Sequence, residues 1–282
     1  MKPRKPKVAI IGVGLLGGSL ALAFKKRGGM SLVGWNHRAS SRRKAAKILP
    51  VVPTFEKAVQ GADVVVLCAH SGSIGPVLNQ IAPLLKTGAL VMDVSSVKGE
   101  VVREAGKIKG MNRFFVPCHP MAGKEKSGPA FADGNLYHDR YVFITPLPGT
   151  PPKLIARARK FWEKVGAMTI VIAARTHDRN VALTSHLPHL LASTLMHLYD
   201  GRKNSPNLHQ SVGTGFKDFT RIAAGSPAMW ADIMKLNATE MKSILSLYRR
   251  KLAQLEGQLR KGGRGGWVSF FEKARAARER LS

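Results

Sequence analysis

Acidic residues are what this chain has least of. Its 282 residues carry 17 Asp and Glu against 45 Lys and Arg, a formal charge of +28. No acidic side chain occurs before Glu56. Such a balance draws in anions, from nucleotides to polynucleotides, without naming one. No basic–aromatic interleaving and no nucleic-acid module accompany it, so a nucleic-acid-binding reading rests on net charge alone. Cysteine is nearly absent. Cys68 and Cys118 make neither a disulfide framework nor a paired metal-ligand motif, which implies a reducing, cytoplasmic setting. Long apolar runs are missing apart from Val8–Phe24, which follows the basic MKPRKPK leader and imitates a secretory signal. What remains is the composition of an ordered globular protein, 44% hydrophobic and 22% charged, of one large or two ordinary domains.

Along the chain, short apolar runs alternate with helical patterns. KVAII (7–11), SLVGW (31–35), ADVVVLCA (62–69), ALVMDVS (89–95), FFVP (114–117), YVFITP (141–146) and MTIVIA (168–173) read as strands. Helical segments fall between them, notably 40–48, 74–85 and 153–166. This alternation predicts an α/β domain, a doubly wound and mostly parallel sheet. After about Ala174 no strand pattern follows, and 176–256 reads as helices broken at NSPN (204–207) and GSP (225–227). The expected organisation is an α/β domain over 1–173 and an all-helical domain over 174–282. GGRGG (262–266) reads as a flexible joint before an amphipathic C-terminal helix.

The glycines Gly12, Gly14 and Gly17 follow the first strand directly and open a helix within a βαβ unit. That context makes GxGxxG a dinucleotide fingerprint of the Rossmann type rather than part of a secretory signal. Gly12 permits the tight turn, Gly14 the close approach of a pyrophosphate, and Gly17 the packing of helix on strand. Leu15 and Leu16 offer amide groups at the helix N-terminus. Ser95, at the end of the fourth strand, belongs to the same expected cofactor set. Where an NAD site carries a carboxylate for the ribose, this chain has Asn36, then His37 and Arg38, with Arg42 and Arg43 close by. Arginine there suits a 2′-phosphate, so NADP is favoured over NAD.

Further stretches carry chemistry: SSVKG (95–99), HPMAGKEKSG (119–128), SHLPH (185–189), and GFKDFTRIA (215–223) followed by MW (229–230). With GVGLLGGS (12–19), and in this order, they resemble the prephenate/arogenate dehydrogenases of tyrosine biosynthesis, from Val8 to about Leu245. The resemblance implies oxidative decarboxylation of a cyclohexadienol. Hydride leaves C4 for the nicotinamide, the C4 hydroxyl loses its proton, and CO2 departs as the ring becomes aromatic. It also implies roles: His119 accepts the hydroxyl proton and Ser96 orients it. His189, Arg221, Lys217 and Glu125 contact the substrate, with Arg221 pairing a carboxylate. Lys98 and Lys217 also read as structural or general electrostatic contributors, and Ser96 as a possible helix cap in an imperfect capping box. A homodimer through the helical domain is expected, with no membrane or nucleic-acid partner.

His186 and His189 share one helical face, loosened by Pro188. A zinc site would need more ligands, and Asp178 is the nearby acid, so no metal is expected. His189 is assigned to the substrate and His186 to the domain interface. A β-hydroxyacid dehydrogenase, the runner-up among enzymes, would carry a helix lysine that SHLPHLLASTLMH lacks. Lys124 stands where the family often has threonine, adding positive charge beside the site. Lys124 and Lys126 would repel an ammonium group, which favours prephenate over arogenate. The chain ends soon after the helical segment, which leaves no expected room for a regulatory domain or a fused chorismate mutase.

Overall fold

The computed structural model describes residues 4–124, 126 and 128–281. Five strands form a parallel sheet: β1 (Lys7–Ile11), β2 (Ser31–Trp35), β3 (Val64–Leu67), β4 (Leu90–Asp93) and β5 (Phe115–Val116), in the order β2-β1-β3-β4-β5. Val8 pairs with Leu32 on one side and Val64 on the other, so β1 lies in the sheet interior. Its side chains divide between two cores, as a strand covered on both faces requires. Val8 and Ile10 pack in one cluster with Leu20, Phe24, Phe161 and Trp162. Ala9 and Ile11 pack in the other with Leu67, Ile74, Leu78 and Phe115. The signal-like run Val8–Phe24 is therefore mostly β1 and the helix after it.

The helices of this part are α1 (Leu15–Arg27), α2 (Ala39–Ala45), α3 (Phe55–Val59), α4 (Ile74–Ile81), α5 (Gly99–Gly106) and α6 (Pro152–Glu163). The chain runs outward from β1 to β2 and then returns to β3 on the other side of β1. The strand order thus reverses beside the carboxyl ends of β1 and β3, where open α/β sheets take their ligands. A second sheet, of order β6-β7-β8, joins β6 (Cys118–Pro120), β7 (Tyr141–Ile144) and β8 (Met168–Val171). β6 runs antiparallel to β7, with His119 opposite Phe143. His119 therefore lies within a strand, where the sequence reads as a strand-end loop. Pro117, whose fixed φ and missing N–H interrupt the run, separates β5 from β6 and hides the second strand from pattern reading.

No strand follows β8 among the described residues; the helices are α7 (Ala174–Val181), α8 (Leu187–Asp200), α9 (Thr214–Thr220), α10 (Pro227–Leu236), α11 (Ala238–Lys261) and α12 (Arg264–Glu279). Between α7 and α8, Ala182–His186 forms a π-helical turn. Pro188 explains it, since a proline near the start of α8 cannot donate to the preceding turn and the ladder widens there. Chain contacts separate Met1–Ala238 from Thr239–Ser282. In the second unit α12 begins inside GGRGG, so the break between α11 and α12 shrinks to Gly262 and Gly263, both at positive φ. Among the described residues no helix is long and apolar enough to cross a membrane.

Candidate active site

The turn after β1 fits a dinucleotide. Gly12 has φ +99°, and a Cβ there would overlap the carbonyl oxygen of Cys68, so the turn admits only glycine. A Cβ on Gly17 would overlap the Gly12 carbonyl, which fixes how closely α1 approaches β1. A Cβ on Gly14 would meet nothing within 4 Å, so this glycine faces open space. The first turn of α1 has no capping side chain and no acidic residue, leaving its amide groups to an anion. These features fit the pyrophosphate of a nicotinamide dinucleotide.

Asn36 holds that turn from the end of β2. Its Oδ1 accepts from Val13 N at 2.6 Å, and its Nδ2 donates to the carbonyls of Val13 and Ser41 at 3.3 Å. Arg42 donates to the carbonyls of Asn36 and His37, both at 2.8 Å, which orders the loop into α2. Arg38 caps α2 only through its backbone and is exposed. The Asn36 amide is thus engaged with the glycine turn, and Arg38 follows it as an exposed side chain; neither residue lines the cavity at the strand ends.

A cavity of about 590 Å³ opens at the carboxyl ends of β1, β3 and β4. It brings together the expected cofactor residues Gly12, Gly14, Leu15, Leu16, Gly17 and Ser95 with Ser96 and His189 from the expected catalytic and substrate sets. Lys124 and Lys126 supply cations to its lining, and Trp230 a flat apolar wall. Lys124 also pairs with Asp133 at 3.0 Å. Lys217 on α9 and Arg221 just after it are exposed and do not line this cavity, although Ile222 does. Glu125 lies outside the described residues.

His119 is buried, with 9% of its surface exposed. Its Nδ1 meets His177 Nε2 at 2.8 Å, and His177 Nδ1 meets Asp178 Oδ1 at 2.8 Å. A carboxylate accepts only, so Asp178 sets the protons along the chain: His177 Nδ1–H donates to it, and His119 Nδ1–H donates to His177 Nε2. His119 Nε2 is then left as an acceptor. Burial, followed by the neighbouring His177, Lys98 and His186, holds the His119 pKa well below the ordinary histidine value. His119 is therefore neutral at physiological pH.

Beneath this chain lies a buried ion pair, Lys98 with Asp93, both wholly inaccessible. Lys98 Nζ also donates to Ser95 Oγ at 2.9 Å and to the Cys118 carbonyl at 2.7 Å. Asp93 accepts from Cys118 N at 3.0 Å and from Ser95 N at 3.1 Å. The pair binds the end of β4, carrying Ser95 and Ser96, to the start of β6, carrying His119. Removing one partner would strand a buried charge, at a cost of about 3–5 kcal/mol.

Ser96 is not a helix cap. The N-cap of α5 is Lys98, and no side chain of its own segment caps it. Asp178 does this from α7, its two oxygens accepting from Lys98 N at 2.8 Å and Gly99 N at 2.7 Å. His186 is buried and shares a 3.1 Å contact with Asn237 Nδ2, which also donates to the Asp178 carbonyl at 2.9 Å. Burial pushes the His186 pKa down to about 4. His189 is stacked on Trp230, ring centroids 3.5 Å apart and 12° from parallel. Sequence reasoning missed His177, Asp93 and Trp230 as site residues. The adjacent pair His177-Asp178, within the first helix after the last strand, was the available signal.

Two family models divide the chain between them: prephenate dehydrogenase, nucleotide-binding domain, over residues 20–171, and prephenate dehydrogenase, dimerization domain, over 173–273. Among curated relatives, a cyclohexadienyl dehydrogenase of Zymomonas mobilis is 33% identical over 96% of this chain and 94% of its own. Among solved structures, prephenate dehydrogenase from A. aeolicus in complex with hydroxyphenyl propionate and NAD+ superimposes with a TM-score of 0.91 at 28% identity, covering 100% of both chains. Arogenate dehydrogenase from Synechocystis gives 0.84 at 26% identity, covering 98% of this chain and 100% of that one. Together the two family models, spanning most of the chain, and the 33% identical relative show that this chain belongs to the prephenate dehydrogenase family.

Proposed function

We propose that the protein is a prephenate dehydrogenase, converting prephenate to 4-hydroxyphenylpyruvate and CO2 in tyrosine biosynthesis, with NADP favoured over NAD. The observation that carries this reading is the His119–His177–Asp178 chain, which leaves His119 Nε2 unprotonated; His119 is buried and is not itself among the residues that line the cavity. A nicotinamide dinucleotide held at the Gly12–Gly17 turn would supply the acceptor for the hydride at C4 of the substrate ring. His119 takes the C4 hydroxyl proton, and the positive charge it acquires is met through His177 by the Asp178 carboxylate. Loss of the hydride and the proton turns the C4–O bond into a carbonyl. The ring carboxylate then leaves as CO2, its electron pair passes through the ring to the C4 oxygen as the ring becomes aromatic, and that oxygen takes the proton back from His119 to give the phenol. Ser96 is assigned to orient the hydroxyl. His189, Arg221, Lys217 and Glu125 are assigned to the substrate, with Lys124 and Lys126 attracting its two carboxylates.

Arogenate is the second reading. It carries an ammonium group where prephenate has a keto group. Lys126 with Lys124, the latter paired to Asp133, disfavours that charge against Asp232, the single carboxylate in the lining among the described residues. The family match over 173–273 supports a homodimer through the helical segment. A cytoplasmic setting fits the free thiols of Cys68 and Cys118.

The cofactor preference rests on Asn36 and Arg38. With no carboxylate at the end of β2, an unphosphorylated ribose lacks its charged acceptor, while an exposed Arg38 two residues on suits a 2′-phosphate. One charge-assisted bond, about 1.5–3 kcal/mol, gives NADP roughly a ten- to hundredfold advantage in kcat/KM. Steady-state assays of prephenate and arogenate with each cofactor test both choices. Asn36→Asp combined with Arg38→Ala should reverse the cofactor order. Wild-type kcat/KM equal or higher with NAD would contradict the NADP assignment, and higher kcat/KM with arogenate would contradict prephenate.

A further inference from the structure

The helical segment lines the cavity with the stacked pair His189 and Trp230 among other residues, and Gly225 lies against both rings. A Cβ at Gly225 would come within 2.6 Å of Trp230 Nε1, 3.1 Å of Trp230 Cδ1 and 3.2 Å of His189 Cε1. The backbone there is at φ −64° and ψ 164°, open to every residue type. Conformation does not call for glycine at this position; space does. The segment is also held in place. Gly225 N donates to Ile222 O at 3.1 Å, Ser226 N-caps α10, and Pro227 fills the first turn. With the backbone anchored on both sides, an added methyl group would displace the rings.

We propose that Gly225 is a positioning residue for substrate binding. Its bare Cα lets the indole and imidazole lie flat against each other as one wall of the cavity. That flat wall receives the substrate ring face-on, and the edge of His189 beside it offers a ring nitrogen to a polar substituent. Gly225 acts through Trp230 and His189 and touches no reacting atom, so it governs KM rather than kcat. The substrate part of this inference rests on the function proposed above; the steric part does not.

The test is a double-mutant cycle of Gly225→Ala and Trp230→Ala, with wild-type and double-mutant chains. In the wild-type background, Gly225→Ala should raise KM for prephenate by about tenfold or more and leave kcat within about threefold. In the Trp230→Ala background, which lacks the ring that the methyl group meets, the same substitution should change KM by less than about twofold. Equal penalties in both backgrounds, or no penalty in wild type, would overturn the proposal. If Gly225→Ala alone does not fold, the double variant decides: folding supports the steric conflict, and failure to fold overturns it. A readout independent of turnover is the His189 Cε1 proton resonance, identified by its loss in His189→Asn. The indole face should shield it in wild type, and Gly225→Ala should move it toward the unstacked position. An unmoved resonance would overturn the steric claim, whereas absence of turnover with an intact shielded resonance would defeat only the functional reading.

Discussion

A histidine accepts a proton only while uncharged, and burial above all, with Lys98 nearby, keeps His119 so. Asp178 then decides which nitrogen is available, through His177. His119→Asn keeps the hydrogen-bonding shape and removes the base, so kcat should fall by roughly 10²–10⁴ with KM changed little. Turnover within a few-fold of wild type would remove His119 from the chemistry. At this scale the sequence is legible where function is local. Gly12, Gly14 and Gly17 announce themselves by spacing, and His119 and His189 by the short motifs around them. His177 was not legible as a site residue because its partner lies 58 positions away. Lys98 reads in the sequence as a structural or general electrostatic lysine, and only the folded chain shows which groups it binds: Asp93, Ser95 and the Cys118 carbonyl. Arg221 is the converse case: a motif singled it out, yet it does not line the cavity that its neighbour Ile222 lines.

Helix α5 shows how an element can depend on a distant residue. Its first amide groups need acceptors, and its own leading residues provide none. Asp178, from α7, accepts two of them while holding His177. Asp178→Ala should therefore cost about 2–4 kcal/mol, since charged hydrogen bonds of about 1.5–3 kcal/mol each are lost together and are not additive. Urea unfolding measures it; a loss below about 0.5 kcal/mol would show that water replaces the carboxylate without penalty. Periodicity located β1 to β4 and most helices because their residues repeat a local pattern. β6 escaped notice for want of length, being three residues behind Pro117. The loosening before α8 was legible from Pro188, whose missing N–H weakens the ladder there, although its π form was not.

For the whole molecule, buried neutral histidines tie stability to pH. His186, with its pKa at about 4 in the folded chain, protonates near 6.5 once unfolded. Below 6.5 the unfolded chain binds the additional proton, so stability is intact above that pH and falls between about 6.5 and about 4. Each such histidine contributes a slope of about 1.4 kcal/mol per pH unit within the window. Comparing urea midpoints at pH 7 and pH 5, His186→Gln should show a shallower loss than wild type. Equal losses would mean that His186 is accessible to protons in the folded state. The charge of +28 acts at the same scale, concentrating anionic cofactor and substrate alike around the molecule.

The central claim is that this chain moves the C4 hydrogen of prephenate to a nicotinamide as the ring carboxylate departs. The most direct measurement uses prephenate carrying deuterium at C4, with the reduced cofactor, 4-hydroxyphenylpyruvate and CO2 quantified together. Deuterium in the reduced nicotinamide, with all three products equimolar, is the predicted result. Deuterium released to water, or reduced cofactor formed without CO2, would contradict it.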